Sequence, residues 1–251
     1  MKILMYDVET SPNLAQVFGL FNQNLSIKQV RESSRVICWA AKWYGKPKVY
    51  FNSVHHSPSF DMTEELHNLL SEADAVCHYN GRAFDTKIMN REFLLHDLAP
   101  PDPYHEIDLL SVVRQRFKFP SNKLDFVCQE LGLGAKTDHE GFELWVKCLE
   151  GDESAWKRME RYNRNDVKML EKLYERLLPW IKTHPNHGLY MDTDRPVCPN
   201  CGSNHVIKKG YEYTQTMVYR RYRCGKCQTP IKGRKNVMSP EERENILAQS
   251  K

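Results

Sequence analysis

Three short acidic segments, far apart in this 251-residue chain, most constrain how it can fold. In the first, Asp7 and Glu9 end an apolar run, which predicts a strand stopped at Ser11-Pro12. Side chains alternate between the two faces of a strand, so both carboxylates point to the same face. A compact fold must either spread such acids over its surface or gather them into one site.

The other two segments also place an acid at the edge of a predicted element. Asp85 follows the strand predicted at 74–79 and stands near the start of a helix. Asp166 lies in the helical pattern of 152–178, where it shares one face with Tyr162, four residues earlier. The early strands predicted at 2–8, 35–43 and 48–54, followed by alternating helix and strand, favour an α/β class with a mixed sheet.

Four gathered carboxylates would need cations. Without lysine partners they would repel one another by several kcal/mol at low effective dielectric. Ligand sets made only of oxygen favour Mg²⁺ or Mn²⁺. Two such ions, about 3.5 to 4 Å apart, can hold and activate a phosphodiester. The residues therefore predict a two-metal site for phosphodiester chemistry.

The three acidic segments also resemble a known family. Asp7-Val8-Glu9-Thr10, Asn80-Gly81-Arg82-Ala83-Phe84-Asp85 and Tyr162-Asn163-Arg164-Asn165-Asp166 are similar, in order, to the exonuclease motifs of the DEDD superfamily. The second motif most resembles the proofreading domain of family B DNA polymerases and its stand-alone relatives. This resemblance covers about residues 1–180. It implies a ribonuclease H-like mixed sheet flanked by helices, and 3′-to-5′ exonuclease activity.

The residues around the last aspartate identify the branch that the chain resembles. Arg161 stands where one branch has histidine, whereas Tyr162 matches the tyrosine branch, DEDDy. The resemblance implies that the Tyr162 hydroxyl orients the attacking water. Positioning is favoured over proton removal, because a phenol with a reference pKa of about 10 is a poor base at neutral pH. It assigns the two Mg²⁺ or Mn²⁺ ions to Asp7, Glu9, Asp85 and Asp166.

Substrate contacts follow from the same resemblance. It implies that Asn80 and Phe84 bind the 3′-terminal nucleotide, by hydrogen bond and stacking, and that Thr10 touches the terminal sugar. Two further acids, Asp108 and Asp125, are interpreted as helix-capping or supporting residues. Lys136 and His139 fit either a contact with the substrate backbone or a solvated loop.

Two Cys-x2-Cys pairs predict a metal site of another kind. The pairs are Cys198/Cys201 and Cys224/Cys227, separated by 22 residues. Four thiolates close a tetrahedral Zn²⁺ site and leave no position open for water, so one structural zinc in a zinc ribbon is predicted. A disulfide framework is the weaker interpretation, because no signal peptide precedes the first strand and the other four cysteines are scattered singly in apolar contexts.

Charge is divided unevenly along the chain. Residues 195–251 carry twelve Lys and Arg against four Glu, a net charge of +8, whereas residues 1–194 carry −4. The ribbon is therefore predicted to attract phosphates, with Arg220, Arg221 and Arg223 as substrate-binding residues. The ribbon tyrosines that interleave with its cations are Tyr211, Tyr213, Tyr219 and Tyr222. The alternatives are a solvated surface, or a surface for a replication or repair protein.

Composition and the family resemblance together divide the chain into four predicted segments. An exonuclease domain is predicted at 1–182, a linker at 183–196, the ribbon at 197–238 and a short helical or disordered tail at 239–251. The polar stretch between Asn13 and Ser34 is predicted to be an irregular loop. With no long apolar run and no signal peptide, a cytoplasmic protein without a membrane partner is expected, of the kind that bacteria and phages encode.

Three functions stay open at this point. The first is a metal-dependent exonuclease acting on nucleic acid, with DNA favoured over RNA and single-stranded 3′ ends as the expected substrate. The second is a nucleic-acid-binding or recruitment protein whose nuclease-like body is inactive. The third is a structure-selective endonuclease on the same fold.

Overall fold

The computed structural model describes residues 1–22, 24–135 and 140–248. The chain forms two compact units, one of Lys2–Tyr174 and one of Glu175–Lys251 with Met1. The predicted domain limits at 182 and 196 stay predictions. Lys136 and His139, named above as alternative substrate contacts, lie outside the described residues, as do the last three residues of the tail.

The first unit is built on a five-stranded mixed sheet with the order β5-β4-β1-β6-β7. The central strand β1 pairs antiparallel with β4 and parallel with β6, and β6 pairs parallel with β7. The strands of this sheet are β1 (Ile3–Thr10), β4 (Val36–Trp43), β5 (Val49–Ser53), β6 (Ala75–His78) and β7 (His105–Asp108).

Helices flank the sheet. They are α1 (Ser59–Ser71), α2 (Asp85–Leu95), α3 (Leu109–Arg116), α4 (Leu124–Glu130), α5 (Phe142–Leu149) and α6 (Glu153–Leu177). Trp39 of β4 donates its indole N–H to the Met62 carbonyl oxygen of α1 at 2.8 Å. Lys42 of the same strand pairs with Glu171 of α6 at 2.6 Å. The predicted mixed α/β class is confirmed.

The alternation of β1 decides which side of the sheet receives its acids. Leu4, Tyr6 and Val8 pack into one apolar cluster with residues of α1 and α2. Asp7 and Glu9 therefore face the opposite side. The cluster on that side joins residues of β4 to α5 and α6, and its members include Cys38 and Tyr162.

The segment between Asn13 and Ser34 differs from the expectation of an irregular polar loop. The short strands β2 (Leu14–Ala15) and β3 (Val30–Glu32) pair antiparallel, and a 3₁₀ turn spans Ile27–Gln29. Ser26 caps that turn by accepting from the Lys28 N–H, while Gln29 accepts from the Ser26 N–H in return. Local capping thus orders a stretch that lacks the apolar periodicity of a longer element.

The second unit contains a three-stranded antiparallel sheet with the order β10-β9-β8. Its strands are β8 (Val206–Tyr213), β9 (Val218–Cys224) and β10 (Pro230–Asn236). The residues at 206–211 and 217–223, which are rich in β-forming types, predict β8 and β9, whereas no strand was predicted at β10. A five-residue helix, α7 (Pro240–Glu244), begins after the capping residue Ser239, as the tail prediction allowed. Within the described ranges, the chain contains no helix that is long and apolar enough to span a membrane.

Candidate active site and metal centres

Three of the four predicted metal-binding acids converge. Carboxylate oxygens of Asp7, Glu9 and Asp166 lie within 4.8 Å of one another. β1 supplies the first two from one face, and α6, which packs on that face, supplies the third. Asp166 is buried, whereas Asp7 and Glu9 are partly exposed, so one side of the cluster is open to solvent.

The fourth acid, Asp85, lies beside this group. It is the first residue of α2 and is 4% exposed. One of its oxygens accepts the backbone N–H of Val8, the residue between Asp7 and Glu9, at 3.2 Å. Burial raises the pKa of Asp85 to about 6, despite the hydrogen bond from Val8. A bound divalent cation would favour the ionised form, so the four carboxylates fit oxygen-binding metals such as Mg²⁺ or Mn²⁺.

Sequence reasoning missed Asn163, which orients one of these acids. It lies within the third motif on α6 and is fully buried. Its side-chain N–H donates to Asp7 Oδ2 at 2.7 Å. The sequence offered one indication of this role, because a polar amide on the buried face of a helix needs a hydrogen-bond partner.

Removing the Asn163 amide is expected to weaken divalent-metal binding. An Asn163→Leu variant loses the donor that fixes the Asp7 carboxylate, and the loss of such a partner typically costs about 10- to 100-fold in metal affinity. Asn163→Asp removes the same donor but adds negative charge beside Asp7, which attracts a divalent cation, so its metal affinity should fall less than that of the Leu variant. Titration with Mn²⁺, followed by electron paramagnetic resonance, measures both effects. Wild-type Mn²⁺ affinity in the Leu variant would rule out this role.

The turn of the second motif is held by its own hydrogen bonds. Asn80 has a φ of +74°, a left-handed conformation that asparagine tolerates. Its backbone N–H donates to Asp108 Oδ1 at 3.0 Å, and the same oxygen accepts the Leu110 N–H at the start of α3. The interpretation of Asp108 as a helix-capping residue is therefore confirmed.

Gly81 in this turn has no room for a side chain. A Cβ at that position would lie 2.3 Å from the buried ring of His78, whose Nδ1 accepts the Gly81 N–H at 3.0 Å. The His78 Nε2 lies 3.5 Å from Glu106 on β7. The turn that precedes Asp85 is thus packed directly on the end of β6.

Two of the predicted site residues, Asn80 and Tyr162, line a cavity of about 730 Å³. Arg114, Lys123 and Asp125 also line it, so it presents both charges. Tyr162 is buried, and its ring packs edge-on against Trp145 with centroids 6.1 Å apart. Asp125 stands in the first turn of α4, where it accepts from Gln129 at 2.7 Å.

The remaining predicted substrate residues of this unit lie at the ends of elements. Phe84 precedes α2 and is 44% exposed, so one part of its ring is available for contact. Thr10 is the last residue of β1 and is partly buried. Their roles stay predictions.

The four predicted zinc ligands form one cluster. The sulfur atoms of Cys198, Cys201, Cys224 and Cys227 lie within 4.8 Å of one another. Two Sγ–Sγ pairs, 198 with 227 and 201 with 224, are 3.6 Å apart. A tetrahedral zinc with bonds of about 2.3 Å places its sulfurs about 3.8 Å apart, whereas a disulfide bond is about 2.05 Å long. The cluster therefore fits a structural zinc.

Thiol acidity at this cluster also suits a cation. Burial raises the pKa of Cys198 to about 11. Burial acts in the same direction on Cys224, but hydrogen bonds from backbone N–H groups and neighbouring thiols outweigh it and lower the pKa to about 7. The Cys224 thiol therefore ionises near neutral pH, whereas Cys198 resists ionisation. Zn²⁺ binding to the cluster would displace the protons that remain on the thiols.

The chain belongs to the RNase H superfamily. The profile of that superfamily matches residues 31–178, more than half of the chain. Asp85 and Asp166 lie inside the matched range, while Asp7 and Glu9 precede it. The predicted ribonuclease H-like fold is thereby confirmed.

A solved structure supports the same fold. The family B DNA polymerase from the hyperthermophilic archaeon Pyrobaculum calidifontis is similar at a TM-score of 0.53 and 16% sequence identity. The similarity covers 71% of this chain and 24% of that polymerase chain. At this identity it shows a shared fold, over about a quarter of the polymerase. Comparison with curated proteins finds no significant match.

Proposed function

We propose that the protein is a metal-dependent 3′-to-5′ exonuclease of the DEDD superfamily, in its tyrosine branch. The observation that carries this proposal is the convergence of Asp7, Glu9 and Asp166 from β1 and α6, with Asp85 bonded to the backbone between the first two. This cluster stands in a chain of the RNase H superfamily. Its open side would admit a phosphodiester.

Asp7, Glu9, Asp85 and Asp166 would hold two Mg²⁺ or Mn²⁺ ions. When bound, such ions lower the pKa of a coordinated water and neutralise charge on the scissile phosphate and its leaving oxygen. The protein itself fixes the ligands. Asn163 holds the Asp7 carboxylate from one side, and the Val8 N–H holds that of Asp85. Preorganised ligands of this kind need little rearrangement during the reaction.

The tyrosine and the cavity complete the proposal. Tyr162 stands four residues before Asp166 on α6, so its hydroxyl group would orient the attacking water. Asn80 and Tyr162 line the same cavity, which would receive the terminal nucleotide. Phe84 would stack on its base, and Thr10 would contact its sugar. The cavity is large enough for one nucleotide, since ligand sites commonly span about 300 to 1,000 Å³.

Tyr162→Phe is expected to slow hydrolysis by about a hundredfold, the scale of a mispositioned reacting group. Metal affinity should not change, because the four carboxylates stay in place. The edge-on packing against Trp145 does not involve the lost hydroxyl, so the fold should persist. Single-turnover hydrolysis and Mn²⁺ titration of the same preparation separate the two quantities. Unchanged turnover would remove Tyr162 from the water-positioning role.

End-labelled substrates test the polarity of the reaction. A 5′-labelled single strand, incubated with Mg²⁺ or Mn²⁺, should shorten stepwise from its 3′ end. The same strand with a blocked 3′ terminus, and a circular strand, should resist. Internal cuts in the circle would instead establish an endonuclease. No cleavage of DNA or RNA with either metal would favour the inactive, nucleic-acid-binding alternative.

The zinc ribbon is proposed to add nucleic-acid affinity to the acidic catalytic unit. Its net charge of +8 contrasts with −4 for the first 194 residues, so the ribbon supplies much of the attraction for a polyanion. Single-stranded DNA is the favoured substrate. A replication or repair protein bound by the ribbon is the alternative partner.

A further inference from the structure

The arginines on the two faces of the ribbon sheet make different contacts. On β9, Arg221 and Arg223 share one face, and both donate to backbone carbonyl oxygens, of Lys209 at 3.1 Å and of Gln228 at 3.4 Å. Arg220 and Tyr222 point to the other face. The sequence-based prediction grouped Arg220, Arg221 and Arg223 as substrate-binding residues. The alternation of side chains along β9 places Arg220 on one face of the sheet and the other two on the opposite face.

The face of Arg220 and Tyr222 contains a groove of about 550 Å³. Lys208 of β8, with Arg234 and Lys235 of β10, also line it. We call this set of five residues the basic groove. Among the described residues that line it, none is acidic.

The cations of the basic groove differ in their ion pairing from a neighbouring lysine. Lys232 also lines the cavity, but its ammonium group pairs with Glu212 at 3.5 Å. Within the part of the chain that the structure describes, none of the four groove cations forms a salt bridge. Arg220 stacks on the Tyr211 ring, with its guanidinium carbon 4.1 Å from the centroid, which leaves its N–H donors at the rim available to a ligand.

We infer that the basic groove binds a single strand of nucleic acid. Lys208, Arg220 and Arg234 would contact successive phosphates, and Tyr222 would stack on a base. A single strand is favoured over a duplex because an aromatic side chain within a cation-lined groove reaches bases only when they are unpaired. The inference rests on the proposed function only in taking nucleic acid as the substrate.

Charge removal on each face tests the inference. The groove variant carries Lys208→Gln, Arg220→Gln and Arg234→Gln. The control variant carries Arg221→Gln, Arg223→Gln and Lys226→Gln, so that each loses three positive charges. Both are made in the full chain with Asp7→Asn, which prevents degradation of the probe. Zinc content and thermal unfolding confirm that each variant is folded.

Binding of fluorescent oligothymidylate is measured by anisotropy over a range of salt. The groove variant should lose about tenfold or more in affinity, and its salt slope should fall by about 2, since each phosphate contact with a single strand contributes about 0.7. The control should lose clearly less, and its slope should stay near that of the parent protein. Equal losses in the two variants, or no loss in the groove variant, would overturn the inference.

Tyr222 supplies an independent readout. Tyr222→Phe should retain single-strand affinity, whereas Tyr222→Leu should lower it by about tenfold, within the range for one base–aromatic stack. Duplex affinity should be the same in both. A Leu variant that binds single strands like the Phe variant would contradict stacking at this residue.

Failure here is distinguishable from failure of the proposed function. If wild type degrades nucleic acid while the groove variant binds normally, only the basic groove is wrong. If the groove variant loses binding but wild type shows no hydrolysis, the groove stands and the exonuclease proposal falls.

Discussion

Replacing Asp7 with asparagine is expected to lower the rate of phosphodiester hydrolysis by at least about a thousandfold, since metal ions at such sites supply several kcal/mol of transition-state stabilisation and each 1.4 kcal/mol is a factor of ten. Asparagine keeps the shape of the side chain and can still accept the Asn163 amide. Asp166→Asn should act similarly, because the Asp166 carboxylate joins the same cluster.

Although both variants should hydrolyse more slowly, each should be more stable than the wild type when no metal is present. Without divalent metal, both variants remove a negative charge from a group of carboxylates within 4.8 Å of one another, so the free energy of unfolding should rise. With metal, the wild type should regain the advantage, because a ligand that binds only the folded state stabilises it. Activity and thermal unfolding, each measured with and without Mg²⁺, test both expectations.

The matched control is Asp61→Asn. Asp61 is an exposed acid in the first turn of α1, on the opposite side of the sheet from the cluster. It should leave both activity and the metal dependence of stability unchanged. If Asp7→Asn retains wild-type turnover, the cluster is not the reaction centre, whatever its metal affinity.

Loss of zinc is expected to unfold the ribbon. In β8, β9 and β10, most side chains are exposed or only half-buried, and Cys224 is the one buried strand residue within the described ribbon. Little apolar core is therefore left to stabilise the sheet without a metal. In comparable small domains, structural zinc contributes about 10 to 16 kcal/mol to the free energy of folding at neutral pH. The ribbon should therefore unfold when zinc is removed.

Cys224→Ser tests this expectation without a chelator. The variant should lose zinc and become sensitive to protease between residues 197 and 238. The unit of Lys2–Tyr174 should stay protected. Cys148→Ser is the control, because that buried thiol belongs to the apolar cluster between β4 and α6 rather than to the zinc site. Full protease resistance of a zinc-free ribbon would show that the strands are stable by themselves.

Local patterns predicted much of the fold. The alternation of side chains along β1 predicted that Asp7 and Glu9 share one face, because successive residues of a strand point to opposite sides of the sheet. The spacing of Tyr162 and Asp166 similarly predicted their shared helix face. Both predictions depend on a single element, so they need no knowledge of its neighbours.

Contacts between elements were harder to predict. The Asn163 hydrogen bond to Asp7 joins residues 156 positions apart, and the hydrogen bond from the Asn80 N–H to Asp108 joins residues 28 positions apart. Local sequence shows that these residues are polar, but not which partner they meet. The strand β10 was missed for a related reason, since its charged residues resemble a loop until β9 pairs with them.

Hydrolysis in ¹⁸O-labelled water, followed by mass spectrometry of the products, tests the central claim most directly. A strand with a free 3′ end, treated with wild type and Mg²⁺, should release 5′-mononucleotides that each carry one ¹⁸O on phosphorus, while Asp7→Asn releases none above background. This result requires water to attack phosphorus at the bond that is cut, with the 3′ oxygen as the leaving group. Products with a 3′-phosphate, or equal release by the Asp7→Asn variant, would contradict a metal-dependent 3′-to-5′ exonuclease at this cluster.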